Sequence, residues 1–125
     1  MKQVIKTSNA PAPIGPYNQA VLSNGTLYVS GQIAIDPESG EVVTSSLEDE
    51  THQVMHNVSA ILKEAGYDFK DVLKTTIFLS DMAFFPVVNE IYGSYFSGDF
   101  PARETIAVTG LPKGVRVEIS VVATH

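Results

Sequence analysis

Cysteine and tryptophan are both absent from this chain of 125 residues. Without a thiol, the protein cannot form a disulfide, use a thiolate nucleophile or hold a metal through cysteine sulfur. Long apolar runs are absent too, because the mixed residues 1–6 give way to a polar segment at Thr7. We therefore expect neither an export signal nor a membrane-spanning helix, and so a soluble, cytoplasmic protein with no membrane partner.

Positive charge is scarce. Eight lysines and arginines face 14 aspartates and glutamates, which gives a net charge of -6. Such a surface repels phosphate backbones, so we expect no nucleic-acid partner. Only two arginines, Arg103 and Arg116, are present, and they become the natural candidates for binding a small anion.

Common catalytic motifs are missing as well. We find no phosphate-binding glycine loop, no nucleophile elbow and no dinucleotide fingerprint, and we expect no cofactor. His52 and His56 have the spacing of a helical metal pair, but Gln53 stands where a zincin motif needs glutamate. The third histidine, His125, is the last residue. We expect two solvated histidines and no metal site.

The composition, 44% hydrophobic and 18% charged, is typical of a globular protein. A chain of this length predicts a single domain, residues 1–125. Hydrophobic periodicity, capping residues and turn formers predict these elements in order: strands at 2–6, 19–22 and 27–33, a helix from Ser45 or Ser46 to Ala65, a strand at 73–79, a helix at 81–96, and strands at 105–108 and 115–123.

This order predicts an α+β fold, with one mixed sheet of about six strands and two helices packed on one face. The last two strands are expected to form a hairpin, because Gly110, Pro112 and Gly114 lie between them. Apolar residues occur on both phases of the strands, for example Val121 and Val122. A second apolar sheet face favours association with further subunits.

Arg103 follows Pro101 closely and begins a strand. Its guanidinium offers a planar set of donors that fits a carboxylate. In the last strand, alternation places Val117 and Ile119 on one face and Glu118 on the other. Two interpretations of Glu118 stay open: a solvated outer face with a cross-strand ion pair, or a general base that faces a bound anion.

Other polar groups join this pair. A proline-rich loop at 9–17 presents Tyr17, either for function or as an ordinary surface residue. Gly31, after Ser30 in a strand, suggests a bulge or a close backbone approach. Asn89 lies beside the apolar stripe of the second helix, either as an ordinary boundary residue or as a group that hydrogen-bonds to something at the edge of the sheet. Together these groups suit binding of a small carboxylate and activation of water.

Several motifs in this order resemble the reactive intermediate deaminase A family, also called the YjgF family. The resemblance covers nearly the whole chain. Its motifs are residues 9–11, 14–17, 30–33, 74–76, 88–92, 101–103, 111–113 and 117–119.

The resemblance implies a chorismate mutase-like fold, a homotrimer with sites between subunits, and an enzyme that needs no cofactor. It would hydrolyse 2-imino acids, released by dehydratases that depend on pyridoxal phosphate, to 2-keto acids and ammonium. Arg103 would hold the substrate carboxylate and Glu118 would activate water. Tyr17, Asn89 and the backbone at 30–31 would line the pocket.

One position departs from the family pattern. Many members have cysteine two residues after the arginine, and here that residue is Thr105, which can bind a ligand or water only through its hydroxyl. The alternative to an enzyme is a regulatory module that binds a small 2-keto acid without turnover. Such a module would need Arg103 but not Glu118.

Overall fold

The computed structural model describes residues 1–125 and contains six strands and two α-helices. Their bounds are β1 Gln3–Ile5, β2 Ala20–Ser23, β3 Thr26–Gln32, α1 Leu47–Glu64, β4 Val72–Leu79, α2 Phe85–Gly93, β5 Ala102–Ala107 and β6 Val117–Thr124. One sheet holds all six strands in the order β1-β2-β3-β6-β4-β5. Only β4 and β5 run parallel, so the sheet is mixed, as predicted.

Local signals set the first hairpin and the long helix. Asn24 and Gly25 both have positive φ, of 52° and 80°, and form the turn between β2 and β3. Helix α1 begins where the Ser46 side chain accepts a hydrogen bond from the Asp49 amide at 3.0 Å. It ends before Gly66, whose φ of 82° stops the helix. The predictions of this hairpin and this helix are confirmed.

The second helix is shorter than expected. Asp81 does act as a cap, but for a short 3₁₀ turn at Met82–Phe84, where its side chain accepts from the Ala83 amide at 2.9 Å. Helix α2 follows with Pro86 in its first turn and ends at Gly93 instead of near Phe96. After Gly93, the Tyr95 and Phe96 amides donate to the carbonyls three residues before them, at 3.2 Å, so the chain tightens into turns there, and Phe96 adds aromatic packing against Phe69 and Tyr92.

Both helices pack on one face of the sheet and enclose the core. From α1 the main contributors are Val54, Val58 and Ile61, and from α2 they are Val88 and Tyr92. The matching strand residues include Ile77, Leu79, Val117, Ile119, Val121 and Ala123. The predicted placement of the helices is therefore confirmed. Neither helix is both long and apolar enough to cross a membrane.

The other sheet face carries no helix. Val4, Tyr28 and Ile106 expose between 42% and 51% of their surface there. The register of β1, β2, β3 and β6 places Val4, Tyr28 and Val122 along one line across this face. We call this side the open face of the sheet.

The hairpin predicted from the last two strands is wrong. Strand β5 lies at the sheet edge, parallel to β4, and β6 lies between β3 and β4. The turn formers instead make a 3₁₀ turn at Pro112–Gly114 in a connection that passes the end of β4. Hydrogen bonds from the Val108 amide to Leu79 and from the Ser80 amide to Arg116 fasten this crossing. The strongly apolar β6 takes a central position, and the polar β5 takes the edge.

A buried ion pair ties α1 to the beginning of β6. The fully buried Glu50 carboxylate accepts from the Arg116 Nε at 2.7 Å and from the Arg116 and Val117 amides at 2.7 and 3.3 Å. Arg116 also donates from Nη2 to the Thr44 carbonyl at 3.1 Å. Arg116 is thus committed to the fold, and of the two arginines only Arg103 remains for an anion.

We expect Glu50→Gln to lower the free energy of unfolding by about 2–3 kcal/mol, since it leaves the Arg116 charge without its buried partner. The estimate lies below the range for a fully buried pair because Arg116 is 31% exposed. Urea denaturation measures the change. Glu48→Gln, on the exposed side of the same helical turn, is the matched control, and an equal effect of both variants would contradict the assignment.

Candidate active site

Arg103 sits at the sheet edge on the helix side. Its Nη1 donates to the Asn89 Oδ1 of α2 at 2.8 Å. The guanidinium carbon lies 5.5 Å from the centroid of the Phe85 ring and 5.3 Å from that of Tyr92. Asn89 and these two rings hold the guanidinium in place, and Arg103 makes no ion pair within the chain. Most of its donors are therefore free for an anion.

The ring of Tyr92 packs against the Arg103 guanidinium. Its hydroxyl donates to the Thr75 Oγ1 at 2.9 Å. Burial raises the pKa of the Tyr92 hydroxyl, and the Thr75 hydrogen bond and the Arg103 charge oppose this only in part. The ring stays neutral and offers its face to the guanidinium. A cleft of about 440 Å³ opens beside Arg103 and includes Asn89, Phe100 and Pro101 in its lining; we call it the Arg103 cleft.

Glu118 lines a different cleft, of about 400 Å³, on the open face. We call it the Glu118 cleft; its lining includes Tyr17, Ser30, Gly31, Ile33, Ile35 and Pro112. Desolvation by these surroundings raises the pKa of the Glu118 carboxyl. Glu118 has no ion-pair partner within the chain. Of the two interpretations from sequence, a cross-strand ion pair is therefore wrong for the isolated chain.

Gly31 makes room for this carboxylate. A Cβ atom at Gly31 would lie 2.8 Å from the Glu118 Cδ and 3.1 Å from its Cγ, closer than atoms pack. The pairing of β3 with β6 also shifts register between Val29 and Gln32. The predicted bulge and close approach at Gly31 are both confirmed, and the approaching group is Glu118 itself.

Tyr17 and Ser30 form the loop side of the Glu118 cleft. The Tyr17 hydroxyl accepts from the Ile14 amide at 3.3 Å, and Tyr17 is about half exposed. The Ser30 hydroxyl donates to the Asn18 carbonyl at 2.6 Å, and the Ser30 amide donates to the Gln19 carbonyl at 2.9 Å. Both Ser30 donors hold the loop, and Tyr17 and Glu118 line the cleft together with the buried Gln19 and Gln32.

The two clefts lie on opposite faces of the sheet. Arg103 is in register with Thr75 of β4, and Thr75 is in register with the buried Val121. Glu118 is in register with Phe78 of β4, three residues further on and therefore on the other face. One chain alone does not bring Arg103 and Glu118 together.

Thr105 lies on the helix side with Arg103, two residues along the same strand. Its Oγ1 is buried and has no hydrogen-bond partner. The histidines lie apart from both clefts. The His52 Nδ1 is 2.6 Å from the Tyr95 hydroxyl, so His52 is half-buried and bonded and not solvated as expected, whereas His56 is exposed.

Sequence reasoning missed two groups that shape the site. Tyr92 was expected only as an apolar stripe residue, yet it packs under Arg103. Gln19 was expected only as the start of a strand, yet its buried side chain lies 3.2 Å or less from Ala10 and Pro11 of the proline-rich loop and from Thr7 just before it. A signal was available, because a loop of prolines lacks N–H groups and its carbonyls need donors from elsewhere.

Known proteins resemble this chain over nearly all of its length. The model of the family described as Endoribonuclease L-PSP matches residues 7–125. Human 2-iminobutanoate/2-iminopropanoate deaminase is 50% identical over 123 residues, which cover 98% of this chain and 90% of the human protein.

Solved structures give the same result. YyfA of Yersinia pestis, described as a protein of unknown function of the conserved Rid family, is 48% identical, with a TM-score of 0.97 and 100% coverage of both chains. Escherichia coli TdcF, solved with bound serine, is 35% identical, with a TM-score of 0.94 and 98% coverage of both chains.

The similarities extend to both the sequence and the fold. They cover the strands of the sheet, both helices and both clefts, because the matched ranges include nearly every residue. The chain belongs to the reactive intermediate deaminase A family, also called the YjgF family.

Proposed function

We propose that this protein is a 2-iminobutanoate/2-iminopropanoate deaminase. It would hydrolyse the reactive enamine and imine products of dehydratases that depend on pyridoxal phosphate, and release 2-keto acids and ammonium. The observation that carries the proposal is the presence of a desolvated, unpaired Glu118 and an unpaired, ring-supported Arg103 in one chain. The name of the human relative supports the same reaction.

The chemistry follows from these two groups. Arg103 binds the substrate carboxylate and fixes the position of the imine carbon. Glu118 accepts a proton from a water molecule, whose oxygen attacks that carbon. The nitrogen of the tetrahedral adduct then takes up the proton from Glu118, the C–N bond breaks, and the adduct hydroxyl gives its proton to the departing ammonia, which leaves a keto acid, ammonium and the Glu118 carboxylate. A protonated imine is already electrophilic, so this route needs no metal or cofactor.

We propose a homotrimer in which the Glu118 cleft of one subunit receives Arg103 from another. Within a chain these groups lie on opposite sheet faces, so a joint site needs a second copy. The position of Arg103 on the edge strand β5 supports this, because a side chain at an edge can reach a neighbour. The exposed apolar residues Val4, Tyr28 and Ile106 give the open face a surface for that neighbour.

The second candidate function is a regulatory module that binds a 2-keto acid without turnover. The hydrogen bond from Arg103 to Asn89 favours this candidate, because it holds the guanidinium ready for an anion without any contribution from Glu118. The structure of TdcF with bound serine also agrees with simple binding of a small carboxylate. A ribonuclease, as the family description reads, fits poorly with a net charge of -6.

A coupled assay tests the enzyme directly. Threonine dehydratase produces 2-iminobutanoate, and semicarbazide traps the free imine. We expect added protein to speed release of 2-ketobutyrate and to suppress semicarbazone formation. No effect with threonine or serine as the starting amino acid would leave the binding module as the function.

Arg103→Ala should reduce kcat/KM in this assay by roughly a hundredfold or more, because the substrate carboxylate loses a bidentate charged contact. It should also weaken binding of 2-ketobutyrate, measured by calorimetry. Lys70→Gln, which removes a cation from an exposed position, is the control. Full activity in Arg103→Ala would contradict the assignment.

Glu118→Gln should abolish turnover while 2-ketobutyrate still binds, since the amide cannot accept the proton. This separates the enzyme from the binding module, which would show no turnover with or without the substitution and would bind 2-ketobutyrate equally well in both forms. In the wild type, kcat/KM should fall as the pH drops through the raised pKa of Glu118, above the pH range of an ordinary glutamate. Glu64→Gln, on exposed α1, should preserve the profile.

The same residue links activity to stability. A carboxyl with a raised folded-state pKa binds protons more readily when folded, so its contribution opposes folding as the pH rises through that pKa. Glu118→Gln removes this effect. The variant should therefore be at least as stable as the wild type at neutral pH in urea denaturation, although it is inactive.

Gly31→Ala should reduce kcat by roughly tenfold or more, because the new Cβ displaces the Glu118 carboxylate. The backbone at Gly31 needs no positive φ, so the fold should persist. Gly110→Ala, where a Cβ meets nothing within 4 Å, is the matched control. Unchanged kinetics in Gly31→Ala would show that the position of Glu118 is unimportant.

A further inference from the structure

One buried amide holds the wall of the Glu118 cleft. Gln19 is 2% exposed and lies at the entrance to β2. Its Oε1 accepts from the Thr7 amide at 2.7 Å. Its Nε2 lies 3.0 Å from the Thr7 carbonyl, 3.2 Å from that of Ala10 and 2.8 Å from that of Pro11. All four contacts reach the loop that precedes Tyr17.

Few other hydrogen bonds hold the loop. Within it, the Tyr17 amide donates to the Gly15 carbonyl at 2.8 Å and the Ile14 amide donates to the Tyr17 hydroxyl; at its far end, the Ser30 hydroxyl donates to the Asn18 carbonyl at 2.6 Å. Its residues Pro11, Ala12, Ile14 and Tyr17 line one side of the Glu118 cleft. Gln19 therefore supplies the long-range hydrogen bonds at the beginning of that wall.

Few other side chains could replace Gln19 at this position. One donor and three acceptors surround the side chain, so the amide fits in one orientation only, with its oxygen toward the Thr7 amide. A carboxylate would set negative oxygens against carbonyls, and an apolar side chain would leave buried backbone groups without partners. The prolines of the loop cannot compensate, since they have no N–H group.

We propose that Gln19 is a positioning residue for the active site: its side-chain amide fixes the proline-rich loop, and through it Tyr17, as the wall of the Glu118 cleft. The effect on turnover rests on the deaminase function proposed above. The effect on the loop does not. Gln19 also borders the Glu118 cleft, but the polar atoms of its side chain are bonded to the chain segment before Tyr17, and we therefore assign it a positioning role.

The test variant is Gln19→Leu, which keeps the side-chain bulk and removes every hydrogen bond. Trypsin cleavage after Lys6, next to Thr7, reports release of the loop. We expect it to quicken about tenfold or more, roughly the change in an opening equilibrium when one or two neutral hydrogen bonds are lost. Cleavage after Lys63 and Lys70, which report global opening, should stay within about twofold.

Kinetics give the second readout. In Gln19→Leu, KM should rise by more than kcat falls, because Arg103 and Glu118 keep their own supports while the wall moves. The acid limb of the pH profile should not shift. Gln53→Leu is the matched control, since Gln53 makes one side-chain bond, to the Asn57 Oδ1 at 3.0 Å, far from the loop. Unchanged KM and unchanged cleavage after Lys6 in a folded Gln19→Leu would overturn the proposal.

Hydrogen exchange on the wild type covers the case in which the variant does not fold. The Thr7 amide, bonded to Gln19, should exchange at least about a hundredfold more slowly than the unbonded amide of Ser8. Similar rates would overturn the proposal. If the wild type shows no imine turnover, the deaminase function fails, but trypsin cleavage and hydrogen exchange still decide the role of Gln19.

Discussion

The alternation of side chains along β5, β6 and residues 74–79 of β4 governs where chemistry can occur in this protein. Because successive residues point to opposite faces, Arg103 shares a face with Thr75 and the core, and Glu118 shares a face with Phe78 and the open side. If β5 slipped by one residue along β4, Arg103 would move to the open face. The side of β5 that carries Ile106 would then turn toward the core. The hydrogen bond from the Val108 amide to the Leu79 carbonyl, at 2.8 Å, helps to fix this register at the end of the pair.

The Glu118 cleft contains a desolvated carboxylate, which is unfavourable for folding. A carboxylate without an ion-pair partner, in contact with Ile33, Ile35 and Pro112, is desolvated, and its pKa rises. A purely structural role would not require a carboxylate there, since Ser120 and Val122 occupy the next positions on the same face of β6. The bulge and the missing side chain at Gly31 add a local weakening of the β3 and β6 pairing. Both features make sense for a base that lines an open cleft and whose pKa is raised above that of an ordinary glutamate.

Local patterns predicted most of the fold. The Asn24–Gly25 turn, the Ser46 cap and the alternation in β6 depend on nearest neighbours, so the sequence contains them directly. The pairing of β5 does not. A hairpin and a crossover use the same turn formers, Gly110, Pro112 and Gly114, and the choice depends on which strand is apolar enough for the sheet centre. That comparison involves residues far apart in the chain.

The sequence likewise predicted some features of the candidate site and not others. Arg103 and Glu118 were predicted from residue type and from the family resemblance, and Gly31 from its place in a strand. Their separation onto opposite faces was not predicted, because it follows from the register of β4 with two other strands. Gln19, Tyr92 and Glu50 were missed for a related reason. Each is buried by partners distant in sequence, and a polar residue within an element gives no sign of that.

Because β5 lies at the sheet edge, Arg103 of the candidate active site is placed where subunits can associate. An exposed edge strand tends to associate, and proteins usually protect it with charge or cover it. Here Lys74 and Glu104 form an ion pair at 2.9 Å beside that edge, and Arg103 adds a further charge. If Arg103 of one copy enters the Glu118 cleft of another, the contact pairs a cation with an unpaired carboxylate and covers the apolar open face at once. Completion of the site and protection of the sheet would then be one event, so a change that weakens the assembly would remove activity before it unfolds the chain.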